Sequence, residues 1–317
     1  MKKLVMSMLV ISLLFGMGTQ IGQAEEQLEG TITMSGAWAL YPMAVKWGEE
    51  FQKIHPNVKL DIAAGGAGKG MADALAQVVD IGMVSRDVNP AEIEKGAWWV
   101  SVTKDAVVPT VNAQNPLLAE LLAKGVTKEA FIKIWGTGEI TTWGEVIGQE
   151  AKHDIHVYTR SDACGAAEIW AKFLDNRKQE DLGGVGVYGD PGLAEAVKKD
   201  ALGIGFNNIN FAYDARTKTP IEGIKILPID INGNGQIDQD ENFYNTQDEI
   251  VAAIANGKYP SPPARALHFV SQGKPTSKVV IEFIKWVLTE GQQYVPEAGY
   301  INLTQESLQE GLEKIEQ

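Results

Sequence analysis

From Gly30 onward the chain switches repeatedly between two hydrophobic periods. Thr31-Ile32-Thr33-Met34 alternates as a strand does. Past a glycine turn, Val45, Trp47, Phe51 and Ile54 recur near the helical period. Residues 58–63 predict the next strand. The run Gly65-Gly66-Ala67-Gly68-Lys69-Gly70 follows, then a helix with Met71, Leu75 and Val78 on one face, then the short buried strand Asp80-Ile81-Gly82-Met83-Val84. A second segment begins near Val107, with helices expected around 128–134, 166–174 and 193–198 and strands at 155–159 and 204–206. Strand character resumes at 224–229, and residues 277–288 put Val280, Ile281, Ile284, Val287 and Leu288 on one helix face. Short strands alternating with amphipathic helices predict an α/β protein. No repeat or Pro/Ser linker interrupts the pattern, so two lobes joined by short hinge strands are expected.

The 317 residues suit two domains once the first 24 are set aside. Lys2 and Lys3, an apolar run from Leu4 to Met17, and Gly22-Gln23-Ala24 read as a signal peptide cleaved after Ala24. The apolar run is shorter than the ~20 residues of a spanning helix. No cysteine stands at the cleavage site to take a lipid, so a free periplasmic protein is expected. Cys164 is the one cysteine, which leaves stability to the core and not to disulfides. The formal charge is −13, from 28 Lys+Arg against 41 Asp+Glu, and such a surface repels nucleic acid and anionic lipid. An anion site on this chain has to work by local geometry.

Three segments share one local design of strand, tight small-residue loop and helix start. They are Ser35-Gly36-Ala37-Trp38-Ala39-Leu40-Tyr41-Pro42, the run from Gly65 to Gly70, and Arg160-Ser161-Asp162-Ala163-Cys164-Gly165-Ala166. The first N–H groups of a helix lack internal partners and carry partial positive charge, so three such starts in one cleft would hold a small anion. Two nucleotide motifs fail on spacing. Gly70 stands where a Walker A loop needs Ser or Thr, and Met71 where G-x-G-x-x-G needs its last glycine.

In order along the chain, these loops resemble the phosphate-type (PstS-like) substrate-binding proteins of ABC transporters. The resemblance covers nearly the whole mature sequence. It rests on Leu40-Tyr41-Pro42, the Gly-Gly-x-Gly-x-Gly loop, Asp80-Ile81-Gly82-Met83-Val84-Ser85-Arg86, Ile134-Trp135-Gly136 with Thr142-Trp143, and Arg160 with Cys164-Gly165-Ala166. Gly203-Ile204-Gly205-Phe206, Tyr259-Pro260, Gly291-Gln292 and Gly299-Tyr300 complete the series. The resemblance implies a two-lobed periplasmic-binding-protein type II fold with the ligand between the lobes. Residues 25–108 and 224–317 would form the first lobe and 109–223 the second. It implies that Arg160 ion-pairs with the anion and Asp162 orients it, with Ser85 and Arg86 as further contacts. The loop residues Ala37, Trp38, Ala39, Leu40, Ala67, Gly68, Cys164, Gly165 and Ala166 would line the site. It also implies a monomer with two partners, a small anionic ligand and an ABC permease.

The chain departs from that family where hydroxyl donors usually stand, at Ala37, Trp38, Ala39, Ala67, Cys164 and Ala166. Each missing donor to a charged ligand costs on the order of 1.5–3 kcal/mol. Two ligand classes therefore stay open. One is phosphate held by backbone N–H groups, Ser85 and arginines; the other is an anion whose apolar part Trp38 and the alanines accommodate. Two other roles stay open behind transport, namely a ligand-reporting partner of a membrane sensor and, least favoured, an exported hydrolase. The loops offer alanine and glycine where a hydrolase needs a base, so no enzyme is expected.

Residues 230–241 match a calcium loop. Asp230, Asn232, Asn234 and Asp238 supply side-chain oxygens at positions 1, 3, 5 and 9, Gly235 the turn at 6, Gln236 a carbonyl at 7 and Glu241 a bidentate carboxylate at 12. A structural Ca²⁺ is expected there, with a strand leading in. Cys164 is expected to be inert, His153 and His156 to lie in a solvated loop, and Trp98, Trp99, Trp135 and Trp143 to pack in cores or between lobes.

Overall fold

A computed structural model describes residues 27–150 and 152–317. The expected leader lies outside the described residues. Eleven strands form among the described residues, in chain order: β1 (Gly30–Gly36), β2 (Val58–Ala64), β3 (Ile81–Val84), β4 (Ala97–Asn112), β5 (Val126–Thr127), β6 (His156–Arg160), β7 (Val185–Val187), β8 (Gly203–Asn208), β9 (Ile224–Ile226), β10 (Ile229–Asp230) and β11 (Ala264–Gln272). The main sheet runs β2-β1-β3-β11-β4-β8-β6-β7, with β9 on the far part of β4, while β10 and β5 pair separately. Parallel pairs β1–β2, β1–β3, β6–β7 and β6–β8 flank the antiparallel centre made by β11, β4 and β8. Five helices matter most below: α1 (Tyr41–Ile54), α2 (Ala67–Leu75), α3 (Gly165–Phe173), α4 (Gly189–Lys199) and α5 (Lys278–Leu288).

Two separate hydrophobic cores define two lobes. In the first, Trp47 and Phe51 of α1 meet Phe269 of β11 and Phe283 of α5, with Trp47 against Phe269 at 5.8 Å and Phe51 against Phe283 at 5.2 Å between ring centroids. In the second, Trp170 of α3 stacks on Phe206 at 5.7 Å and meets Trp135 edge-on at 5.5 Å. Trp135 and Trp143 are core residues, and Trp98 and Trp99 pack partly buried on the first core. Rings of this size bury 150–250 Å² each, which makes them the main apolar contribution to each lobe.

The periodicity located most helices and differs at their ends. α2 stops at Leu75, which leaves Val78 exposed, and Ile54 at the end of α1 also faces solvent. The helix expected over 128–134 is α-helical for Lys128–Phe131 and continues as a π-helical turn over Ile132–Thr137. β4 and β11, the longest strands, follow no clean alternation in the sequence, and both cross between lobes.

β4 changes partner along its length. Residues 97–106 pair with β11 and 107–111 with β8, and the first core takes Val100 and Val102 while the second takes Ala106, Val107 and Val108. The return crossing corrects the expected boundary at 224. Ile226, Leu227, Ile229, Tyr244 and Tyr259 all pack in the second core, because β9 adds antiparallel to the end of β4 instead of leading back to the first sheet. The chain returns at β11, where Ala264 belongs to the second core and Leu267 to the first.

Asp105 and Arg265 are register partners at this double crossing, with Arg265 Nε 3.2 Å from Asp105 Oδ1. Complete burial pushes the Asp105 carboxyl up from 3.8 to about 7, against the pull of Arg265 and with the help of Asp190. A folded-state pKa above the unfolded value means stability is present below the unfolded pKa and lost as pH rises through the folded one. Asp105 therefore removes up to ~4 kcal/mol of stability between about pH 4 and pH 7. Urea unfolding across that range should show a difference between wild type and Asp105→Asn that changes with pH in this sense; a constant difference would contradict it.

Candidate functional site

The three predicted loops converge between the lobes. After β1, the N–H of Ala37 is held by Met83 O at 2.8 Å, and the turn through Trp38 delivers the chain to α1. After β2, Gly66 adopts φ 93°, a conformation favouring glycine, and starts α2 without a side-chain cap. After β6, Cys164 caps α3 weakly, its Sγ accepting from Ala167 N at 3.5 Å. The N–H groups of Trp38, Ala39, Ala67, Gly165 and Ala166 take no acceptor among the described residues. Uncapped starts of this kind carry the partial positive charge that an anion requires.

The lobes touch at these loops. Gly68 N donates to Ala163 O at 3.1 Å across the cleft. Trp38 reaches over Gly189 and meets Tyr188 and Phe211 of the second lobe edge-on, each at 6.3 Å. Its indole N–H is buried without a partner. Gly165 lies so close to Ser85 that a Cβ there would collide with the Ser85 carbonyl and hydroxyl oxygens. Ala37, Ala39, Leu40 and Ala67 are buried on the first core, and Cys164 and Ala166 on the second.

Arg160 enters from the end of β6 with its side chain fully buried. Its Nε and one terminal nitrogen donate side-on to Asp162 at 2.8 and 2.6 Å, and its other terminal nitrogen donates to Asp190 at 2.6 Å. Burial opposes the guanidinium charge, but Asp190 and Asp162 hold its pKa above the ordinary value. Asp162 also accepts from Gly189 N at 3.1 Å, and its carbonyl is bolted by Gln179 Nε2 at 2.7 Å while Gln179 Oε1 takes Cys164 N. Burial pushes the Cys164 thiol up to about 12, which leaves it without nucleophilic thiolate at neutral pH.

Arg86 is placed differently from Arg160. It forks onto Glu92 at 2.7 and 2.9 Å and crosses to Glu168 of α3, 3.1 Å from its Nε. Beside it Lys172 of α3 reaches Asp87 at 2.8 Å. The sequence indicated the arginine but not the carboxylates, which arrive from a capping box at Asn89 and from the second lobe. Arg86 thus acts here as a strap between lobes. A cavity of about 920 Å³ flanks the strap, lined by Arg86, Arg160, Lys172, Arg177 and Gln179 among others.

Asp190 and Asn208 were not foreseen. Gly189-Asp190-Pro191 reads as an ordinary acidic helix start, yet Asp190 is wholly buried and accepts from Asn208 N and Nδ2 at 3.0 and 2.8 Å. Asn208 Oδ1 in turn accepts from Arg265 at the crossing strands.

In the calcium loop, strand β10 leads in as expected. Asp230 accepts N–H groups of Gly233 and Gly235 at 2.7 and 2.8 Å, and Glu241 accepts those of Ile231 and Asn232 at 2.9 and 3.2 Å. Among the described residues no three His, Cys, Asp or Glu side chains converge in a metal-holding group. His156, expected in a solvated loop, instead opens β6, because its backbone joins the sheet beside β8, and its ring pairs with Asp200 at 2.7 Å.

Two α/β lobes that close uncapped helix starts and a buried arginine on each other define a bilobal binding protein. The chain belongs to the PBP superfamily domain family, whose model matches residues 22–290. It is 27% identical to the phosphate-binding protein PstS of Bacillus subtilis, over 89% of this chain and 84% of that one. Against the PstS of Methanocaldococcus jannaschii it is 26% identical, over 90% and 86%. A substrate-binding protein from Clostridium perfringens, solved with bound phosphate, shares the fold with a TM-score of 0.70 at 22% identity, over 87% of this chain and all of that one.

Gly165→Ala is expected to hold the lobes apart by its collision with Ser85. Small-angle scattering should then give a larger radius of gyration than wild type, whereas an unchanged radius would show that the loops approach less closely.

Proposed function

We propose that the protein is an exported solute-binding protein that captures phosphate or a related small anion between its lobes and delivers it to the permease of an ABC importer. The observation that carries this reading is the convergence of uncapped helix starts, the Ser85 hydroxyl and buried Arg160 at the interlobe contact. Backbone N–H groups suit an oxyanion of any sequence context, and a guanidinium adds planar donors. The relatives named for phosphate binding support phosphate itself. Export rests on the leader at residues 1–24. No helix among the described residues is long and apolar enough to cross a membrane.

Binding without chemical change is the reading the site chemistry favours. The Cys164 thiol is held protonated, and Arg160 keeps its proton at any working pH. One feature favours the second ligand class, an anion with an apolar part. Trp38 puts an indole face and a buried, unpartnered N–H where a hydroxyl donor would be expected. Isothermal titration with inorganic phosphate decides between the classes. Saturable heat below millimolar concentration supports phosphate, and none at millimolar concentration, with organic anions still binding, transfers the site to the second class.

We also propose that residues 230–241 hold a structural calcium ion. The donor types fit, since Asp230, Asp238 and Glu241 are carboxylates and Asn232, Asn234 and Gln236 add neutral oxygens. Asp230 and Glu241 are buried carboxylates whose partners are backbone N–H groups, with no cationic side chain among them. Calcium should raise the unfolding temperature over that in EGTA, and Glu241→Gln should abolish the difference. An equal unfolding temperature in both would remove the ion from the account.

A further inference from the structure

The cleft arginine carries more negative charge around it than it can neutralise. Arg160 is a single cation in contact with two carboxylates, and all three side chains are at least 95% buried. The nearest cation outward is engaged elsewhere, because Asp190 hydrogen-bonds to Asn208, Asn208 to Arg265, and Arg265 is in contact with Asp105. Two guanidiniums thus face three carboxyl groups. Asp162 has an obvious part, since its side-on fork fixes the plane of the guanidinium and it is itself fixed by Gly189 N. Asp190 has none of that character. It takes a separate nitrogen of Arg160 at 2.6 Å and is set there by two donors from Asn208.

We propose that Asp190 is a built-in counter-ion that competes with the bound anion for Arg160 and thereby lowers the affinity of the cleft. This rests on the reading of the cleft as an anion site. In a buried site the attraction of a guanidinium for an anion is strong only while its charge is uncompensated. With Asp162 and Asp190 both bonded to the one guanidinium, little of its attraction is left for an incoming anion, which is held mainly by the N–H groups of Ala67, Gly165 and Ala166 and by Ser85. Asp190 also supplies what Arg160 lacks when the cleft is empty. A fully buried guanidinium nitrogen without an acceptor is costly, and the Asp190 carboxylate removes that cost before any ligand arrives. The residue is a positioning residue, acting on the ligand through Arg160.

The test compares inorganic phosphate binding by wild type and Asp190→Asn, by isothermal titration at one pH and salt concentration. Removing one buried negative charge beside Arg160 while keeping the side-chain shape should tighten phosphate binding on the order of tenfold or more. Equal or weaker binding by a variant that still unfolds cooperatively overturns the proposal. Asp190→Gly is the second variant, because it leaves a carboxylate-sized space next to the guanidinium. Formate at millimolar concentration should enter that space and raise the unfolding temperature of Asp190→Gly but not of wild type. If Asp190→Asn does not fold, this rescue decides alone, and a variant indifferent to formate overturns the proposal. Silence of both wild type and Asp190→Asn toward phosphate, with formate rescue intact, would instead sink the anion-ligand reading and the competition with it, leaving Asp190 only as the acceptor that buried Arg160 requires.

Discussion

A guanidinium cannot be buried without acceptors for its nitrogens, and that requirement organises the second lobe of this protein. Arg160 sits at the end of β6 with its side chain fully buried, so the chain must bring carboxylates to it. Asp162 comes from the same loop and Asp190 from the start of α4, which follows β7, a direct neighbour of β6 in the sheet. Meeting that demand pins the loop that opens α3, and Gln179 closes it from below. The uncapped N–H groups of Gly165 and Ala166 are held in place as a consequence. A site of fixed donors, arranged before the ligand arrives, is what anion capture needs.

The same network continues to the crossing strands. Asn208 links Asp190 to Arg265, and Arg265 pairs with Asp105 where β4 and β11 pass from one core to the other. Cleft and hinge are therefore joined by direct hydrogen bonds and not only by packing. Across the cleft itself the contacts are of another kind: Arg86 to Glu168, Lys172 to Asp87, and Trp38 against Tyr188 and Phe211. The exposed Lys172 pair contributes little by itself. The Arg86 strap is more buried, and Glu168 is pushed up by burial against the pull of Arg86. Closure is thus a sum of modest terms, suited to a protein that must open again.

How far the chain could be read from its sequence follows from which physical signal each part carries. The first lobe from β1 to β3 was legible because period-two strands and period-3.6 helices are local patterns, punctuated by glycines at forced turns. β4 and β11 were not legible as elements, since strands buried on both faces and carrying Asp105, Arg265 and His268 inside break the alternation. The return crossing was misplaced for a related reason. Strand character at 224–229 is visible, but which sheet it joins is a tertiary choice. At the site, the helix starts and Arg160 could be found from loop chemistry. Arg86 could be found but not its partners, and Asp190 looked like any acid in a first helical turn.

The central claim is that the interlobe contact around Arg160 is where this protein holds its anion. A crystal structure of the protein grown with inorganic phosphate tests it most directly. The account predicts tetrahedral density between the lobes, within hydrogen-bond reach of Ser85 and of the N–H groups at the starts of α2 and α3, with Asp162 still forked onto Arg160. Phosphate bound only elsewhere, or lobes closed with that contact unchanged and empty in the presence of saturating ligand, would contradict it.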